Sequence, residues 1–135
     1  MNDSMWIWNN RPMTNEDIAE TCEATAALLE GHWTKGAWYT ETNGYQTYCV
    51  EGALAAALGL DPTTMSEGDD ESRSLLRDCP VYEAVCDTIN EGEAPDWHVT
   101  ELPGWNDTDH RTEQEVLDIL HATAKRVLGV PRDDA

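Results

Sequence analysis

Tyr48-Cys49-Val50-Glu51-Gly52-Ala53-Leu54-Ala55-Ala56-Ala57-Leu58-Gly59 is the least polar run in a strongly acidic chain. Ala and Leu are strong helix formers, so the run predicts a helix over Gly52–Leu58 that opens beside Cys49. Gly59 suits the left-handed position that ends many helices, and Leu60 can fold back behind it. Asp61-Pro62 makes the stop firm. A helix this short needs packing, because isolated helices under about 12–15 residues are marginal in water. Its small side chains let neighbours come close. It is therefore expected at the centre, with the first and last helices against it.

Upstream, Asn43-Gly44 separates two runs rich in aromatic and Thr residues, Trp38–Thr42 and Tyr45–Tyr48. Asn-Gly is a strong hairpin signal, because both turn residues need positive φ. A two-residue turn sets Thr42 opposite Tyr45, Thr40 opposite Thr47, Tyr39 opposite Tyr48 and Trp38 opposite Cys49. A lone hairpin is unstable, so it must lie on helices or gain a third strand. Trp6-Ile7-Trp8 is the candidate for that strand, and Asn9-Asn10-Arg11-Pro12 reads as a turn after it. Thr14 and Asp17 predict a capped first helix whose buried stripe is Ile18, Cys22, Ala26 and Leu29.

Downstream, the segment from Asp61 to Ser72 reads as a solvated acidic loop, with Ser72 capping a short helix that carries Leu75 and Leu76. Pro80 opens a further helix with Tyr82, Val85, Cys86 and Ile89 on its buried face. Glu93 to Asp109 reads as a long loop holding Trp97, His98 and Trp105-Asn106-Asp107. There the Asn and Asp side chains are expected to close turns with nearby backbone N–H groups. Thr112-Glu113-Gln114-Glu115 is a full capping box, followed by Val116, Leu120, Ala124 and Val127 on one stripe, with Ile119 and Leu128 beside it. The expected fold is α+β, mainly α, with four to five helices around one β-hairpin in a single domain. That domain runs over 14–130 and includes the acidic loop 61–72, between an N-terminal arm 1–13 and a frayed tail 131–135.

Asp and Glu number 27 against 8 Lys and Arg, a formal net charge of −19. Such a balance opposes direct binding to nucleic acid or to an anionic membrane, both of which need a cationic face. No apolar run approaches the ~20 residues of a membrane span, and no basic segment precedes an apolar core at the N-terminus. A cytoplasmic protein with reduced thiols is expected. Cys22, Cys49, Cys79 and Cys86 form no CxxC pair, so no metal site and no cofactor are expected, and the pairing of any cysteines stays open.

Cys49 is the one candidate nucleophile. A helix N-terminus lowers a thiol's pKa, and His98, Asn106 and Asp107 are the residue types that would complete a catalytic set. The alternative makes Cys49 a small buried apolar residue. Two other groups are candidates for binding. Trp6 and Trp8 are large aromatics of the kind that anchor interfaces. Glu67, Asp69, Asp70 and Glu71 form an acidic run for which a solvated surface is the first reading and a patch for a basic partner the alternative.

Read together, Trp33-Thr34-Lys35-Gly36-Ala37, Cys49-Val50-Glu51-Gly52-Ala53-Leu54, Trp105-Asn106-Asp107 and Thr112 to Glu115-Val116 form an ordered pattern. In the order W-x-x-G-A, C-x-x-G-A-L, W-N-D and T-x-x-E-V, it resembles a family of short proteins of actinobacteria and their phages with no assigned activity. The likeness covers Thr14 to Gly129, while the Trp6-Ile7-Trp8 arm and the acidic insert near Asp69 depart from it. It implies an origin, not an activity. The expected function is that of a small acidic non-enzymatic interaction protein, phage-encoded and acting on a host cytoplasmic protein. The alternatives are an acidic mimic of nucleic acid that blocks a basic DNA- or RNA-binding protein, and a cysteine-dependent enzyme centred on Cys49. A homo-oligomer built on the hairpin edge and the Trp arm is a further, structural possibility.

Overall fold

A computed structural model describes residues 5–6, 11–92 and 98–129. Two short strands, β1 (Met5–Trp6) and β2 (Arg11–Pro12), precede helix α1 (Asn15–Leu29). The hairpin β3 (Tyr39–Thr42) and β4 (Tyr45–Tyr48) leads into α2 (Val50–Ala57). Helices α3 (Pro62–Ser66), α4 (Asp70–Arg77), α5 (Pro80–Gly92), α6 (Leu102–Asn106) and α7 (Glu113–Val127) follow. The fold is α+β and mainly α, as expected.

The long helices form where their caps and stripes place them. Thr14 and Asp17 make a reciprocal capping box on α1, and Thr112 and Glu115 make one on α7. A cap of this kind stabilises a helix by about 1 kcal/mol. Ile18, Cys22, Ala26 and Leu29 are buried on α1; Val116, Leu117, Leu120 and Ala124 are buried on α7. These stripes meet, since α1 packs most extensively on α7, and α5 lies against both. Leu128 stays exposed, so the α7 stripe ends sooner than the sequence suggests.

Helix α2 ends as its sequence predicts. Leu60 N–H donates to Ala55 O (2.9 Å) and Gly59 N–H to Ala56 O (3.1 Å), with Gly59 at φ 85°. This is the paired hydrogen-bond pattern that satisfies a helix's last carbonyls. Val50 through Ala55 are all buried. The central position is therefore real, and the first helix, α1, is its chief neighbour as expected, but α6 and α3 come next in place of the last helix.

The hairpin has the expected register, Thr42 opposite Tyr45, Thr40 opposite Thr47 and Tyr39 opposite Tyr48. Asn43 and Gly44 both have positive φ, 53° and 84°. The Trp38–Cys49 pair is absent from the ladder. Among the described residues, the arm adds no strand to the hairpin. Tyr48 N–H donates to His32 O and Thr34 N–H to Tyr48 O, each at 2.8 Å, so Trp33 bridges in parallel beside Tyr48. Met5–Trp6 instead pairs with Arg11–Pro12, which makes Arg11–Pro12 a strand and not a turn. Ile7, Trp8, Asn9, Asn10, Trp97 and the tail 131–135 lie outside the described residues.

Two expected loops contain helix. Within the acidic segment 61–72, Asp61 caps α3 by accepting from Thr63 N–H, and Asp69 caps α4 by accepting from Ser72 N–H. Ser72 thus lies inside α4 instead of capping it. The acids that read as solvating residues include two N-caps, which explains why so polar a stretch still folds. In 93–109, α6 interrupts the loop and buries Leu102, Trp105 and Asn106.

Candidate functional site

Asn106 joins three segments that are far apart in sequence. Its Oδ1 accepts from Trp33 Nε1 (2.7 Å) and from Val50 N–H (3.0 Å). Its Nδ2 donates to Thr34 O (3.1 Å) and to Asp107 Oδ1 (3.0 Å). The side chain is fully buried, and all four of its hydrogen-bonding positions are used. The segments 33–37, 49–54 and 105–107 therefore meet at one amide. The expectation that Asn106 closes a local turn is corrected, because three of its four partners lie more than fifty residues away.

Asp107 is exposed, but it is not free to turn. Its Oδ1 accepts from both Asn106 Nδ2 and Gly36 N–H (2.9 Å). Lys35 lies next to Gly36, yet its Nζ donates to Thr108 O (2.7 Å) and Asp109 O (2.9 Å). Asp107 borders an open groove of about 490 Å³, with residues 36–39 on one wall and Cys49 and Pro103 on the others. Among the described residues, Asp107 is the one charged residue lining it.

Cys49, Asn106 and Asp107 are thus brought together, as the cysteine-centred reading requires. The remaining features of that reading are not met. His98 lies in a second cavity of about 310 Å³, beside Arg77, Tyr82 and Cys86. Cys49 is buried and its thiol is pushed up to about 12 by that burial, against a smaller opposing effect from Gly52 N–H, which donates to its sulfur (3.3 Å). The helix terminus was expected to lower this pKa. The desolvation of a thiolate outweighs it. All four cysteines are free and buried.

The acidic candidates are divided. Asp69 accepts from Ser72 N–H, Ser72 Oγ (2.7 Å) and Thr64 Oγ1 (3.3 Å), and the Ser72 hydroxyl above all holds its carboxyl below the usual range. Asp70 lies 3.4 Å from Arg73. Glu67 and Glu71 are exposed. Trp6 falls in β1, and Trp8 lies outside the described residues.

The sequence reading passed over a second, interior cluster. Glu51 is fully buried on α2. Its Oε1 accepts from Trp38 Nε1 and its Oε2 from Tyr82 OH, each at 2.5 Å. Arg77 Nε lies 3.5 Å from Oε2, and Tyr82 OH accepts from Leu102 N–H (2.8 Å). Arg73 stacks over the Trp38 ring at 4.3 Å. A buried carboxylate needs this much compensation. The available signal was an acid inside an otherwise apolar run, which must find a partner when the run is buried.

Among the described residues, no group of three His, Cys, Asp or Glu is placed to hold a metal ion. No helix among them is long and apolar enough to cross a membrane.

These features define a small, acidic, mainly helical protein with a rigidly held carboxylate beside an open groove. The chain belongs to the DUF6197 family, a family of unknown function, which it matches over residues 13–126. No curated protein and no solved structure matches it.

Proposed function

We propose that this is a small acidic non-enzymatic interaction protein that binds a basic protein. Following the resemblance of its sequence pattern, the partner would be in the actinobacterial cytoplasm, and would be a host protein if the chain is encoded by a phage. One observation carries the reading: the converging segments hold an acceptor, Asp107, at the edge of a groove, while the nearby thiol is buried and protonated. A fixed carboxylate beside apolar surface suits recognition of a cation more than covalent chemistry. The net charge of −19 acts in the same direction, since it draws cationic partners and repels polyanions.

Affinity capture from an actinobacterial lysate, washed at low and then high salt, tests this. A basic protein released by salt is the expected result, because exposed ion pairs are screened within about 10 Å at 0.1 M salt. If DNA or RNA competes for that protein, the partner surface is a nucleic-acid groove and the narrower mimicry reading holds. If nothing is retained at low salt, the proposal fails.

A further inference from the structure

The geometry points to a specific ligand for the groove: the ammonium group of a lysine side chain presented by the partner, bound to Asp107 Oδ2. This inference rests on the basic-partner reading above and adds to it the group recognised. A carboxylate oxygen has two lone pairs. Both lone pairs of Asp107 Oδ1 are used, by Gly36 N–H and Asn106 Nδ2. Among the described residues, Oδ2 carries no hydrogen bond, and Lys35 is turned to the carbonyls of Thr108 and Asp109. A guanidinium fork needs both oxygens of a carboxylate for its parallel pair of bonds. With one oxygen already saturated, Asp107 offers a single acceptor, which suits a compact point charge.

The rest of the groove suits the stem of the same side chain. Ala37 and Pro103 supply apolar surface beside Asp107, and no lining residue among those described is a cation. A lysine can lay its methylenes on such a surface while its head reaches the carboxylate. The buried Asn106 sets the position of Asp107 in advance, so little side-chain freedom is lost on binding.

The test is a titration of the full chain, followed by the backbone amide resonances of Gly36, Ala37 and Asp107. The probes are four short peptides, identical except for a central lysine, arginine, norleucine or acetyl-lysine. The lysine peptide should shift those resonances, and the norleucine and acetyl-lysine peptides should not. Asp107→Asn keeps an oxygen to accept from Gly36 N–H and Asn106 Nδ2, so the variant should fold. Losing the charged acceptor should weaken binding of the lysine peptide about ten-fold or more. The inference is overturned if the lysine peptide gives no shift, if its shifts fall on α4 instead, if arginine binds as well as lysine, or if Asp107→Asn binds undiminished. If a basic protein is still captured in a salt-sensitive way, the wider reading stands without this site; if capture also fails, both fall.

Discussion

Gly52 on α2 lies directly beneath the backbone of Trp38: a Cβ added to it would stand 2.7 Å from the Trp38 carbonyl carbon and nearer still to the oxygen. Backbone cannot swing aside as a long side chain can. The close approach also sets the distance from which Trp38 Nε1 reaches Glu51. Gly52→Ala is therefore expected to destabilise the protein by about 3 kcal/mol or more, despite alanine's better helix propensity. Ala56→Gly on the same helix, at a half-buried position, is the milder comparison and should cost about 1 kcal/mol. Urea midpoints for the two variants check this; a Gly52→Ala midpoint equal to the parent's would mean that Trp38 does not pack there.

Asn106 can be tested by separating its acceptor from its donor. Asn106→Ala leaves Val50 N–H and Trp33 Nε1 without a partner, at a cost of about 3 kcal/mol or more. Asn106→Asp keeps the acceptor but turns an oxygen toward Thr34 O and Asp107 Oδ1. Burial and that facing carboxylate raise the new group's folded pKa above its unfolded value of about 3.9. The folded variant then holds the extra proton, so its stability is greatest at low pH and falls as pH rises through the folded pKa. Urea unfolding should show its deficit against the parent widening between about pH 4 and pH 7. A constant deficit would show that the donor side of Asn106 contributes little.

Local signals foretold much of this fold, and long-range ones did not. Both capping boxes, the hairpin register and the Gly59 stop depend on residues within a few positions of each other, and each is present. The α3 helix lies where a loop is expected, and α4 carries Leu75 and Leu76 as expected but starts earlier, because Asp61 and Asp69 act as caps and not only as charges. The parallel bridge at Trp33 and the junction at Asn106 were illegible for a different reason. Each joins segments whose separation in sequence says nothing of their distance in space. Of the candidate site, Cys49, Asn106 and Asp107 were named, and the burial of Cys49 agrees with its reading as a small apolar residue; burial is a property of the assembled fold, so the thiol's pKa was not legible in the sequence.

Tyr82 holds the Glu51 cluster to α6 through one oxygen, which donates to Glu51 Oε2 and accepts from Leu102 N–H. Tyr82→Phe keeps the ring and removes both bonds, leaving a buried carboxylate oxygen and a buried N–H short of a partner. The expected loss is about 2–4 kcal/mol, larger than for an ordinary buried hydroxyl, because one partner is charged. Faster amide exchange at Leu102 should accompany it. A loss below about 1 kcal/mol would mean that water takes over both roles.

The four thiols make the protein sensitive to alkali. Burial raises Cys22, Cys49 and Cys86 from 9.0 to about 12 and Cys79 to about 11. In each case the folded pKa is the higher one. Their contribution is therefore complete below the unfolded value and is lost as pH rises through the folded value. Above the 9.0 of an ordinary thiol the unfolded chain releases protons that the folded chain retains, so the equilibrium moves toward unfolding up to about 12. Urea midpoints should fall steadily from pH 8.5 to 11, roughly following the thiol ionisation. A Cys22→Ala, Cys86→Ala double variant should show a shallower fall. The same burial predicts that a thiol reagent at pH 8 labels none of the four in the folded protein and all four in urea. Rapid labelling of Cys49 alone in the folded protein would contradict its buried, protonated state and revive a catalytic role for it.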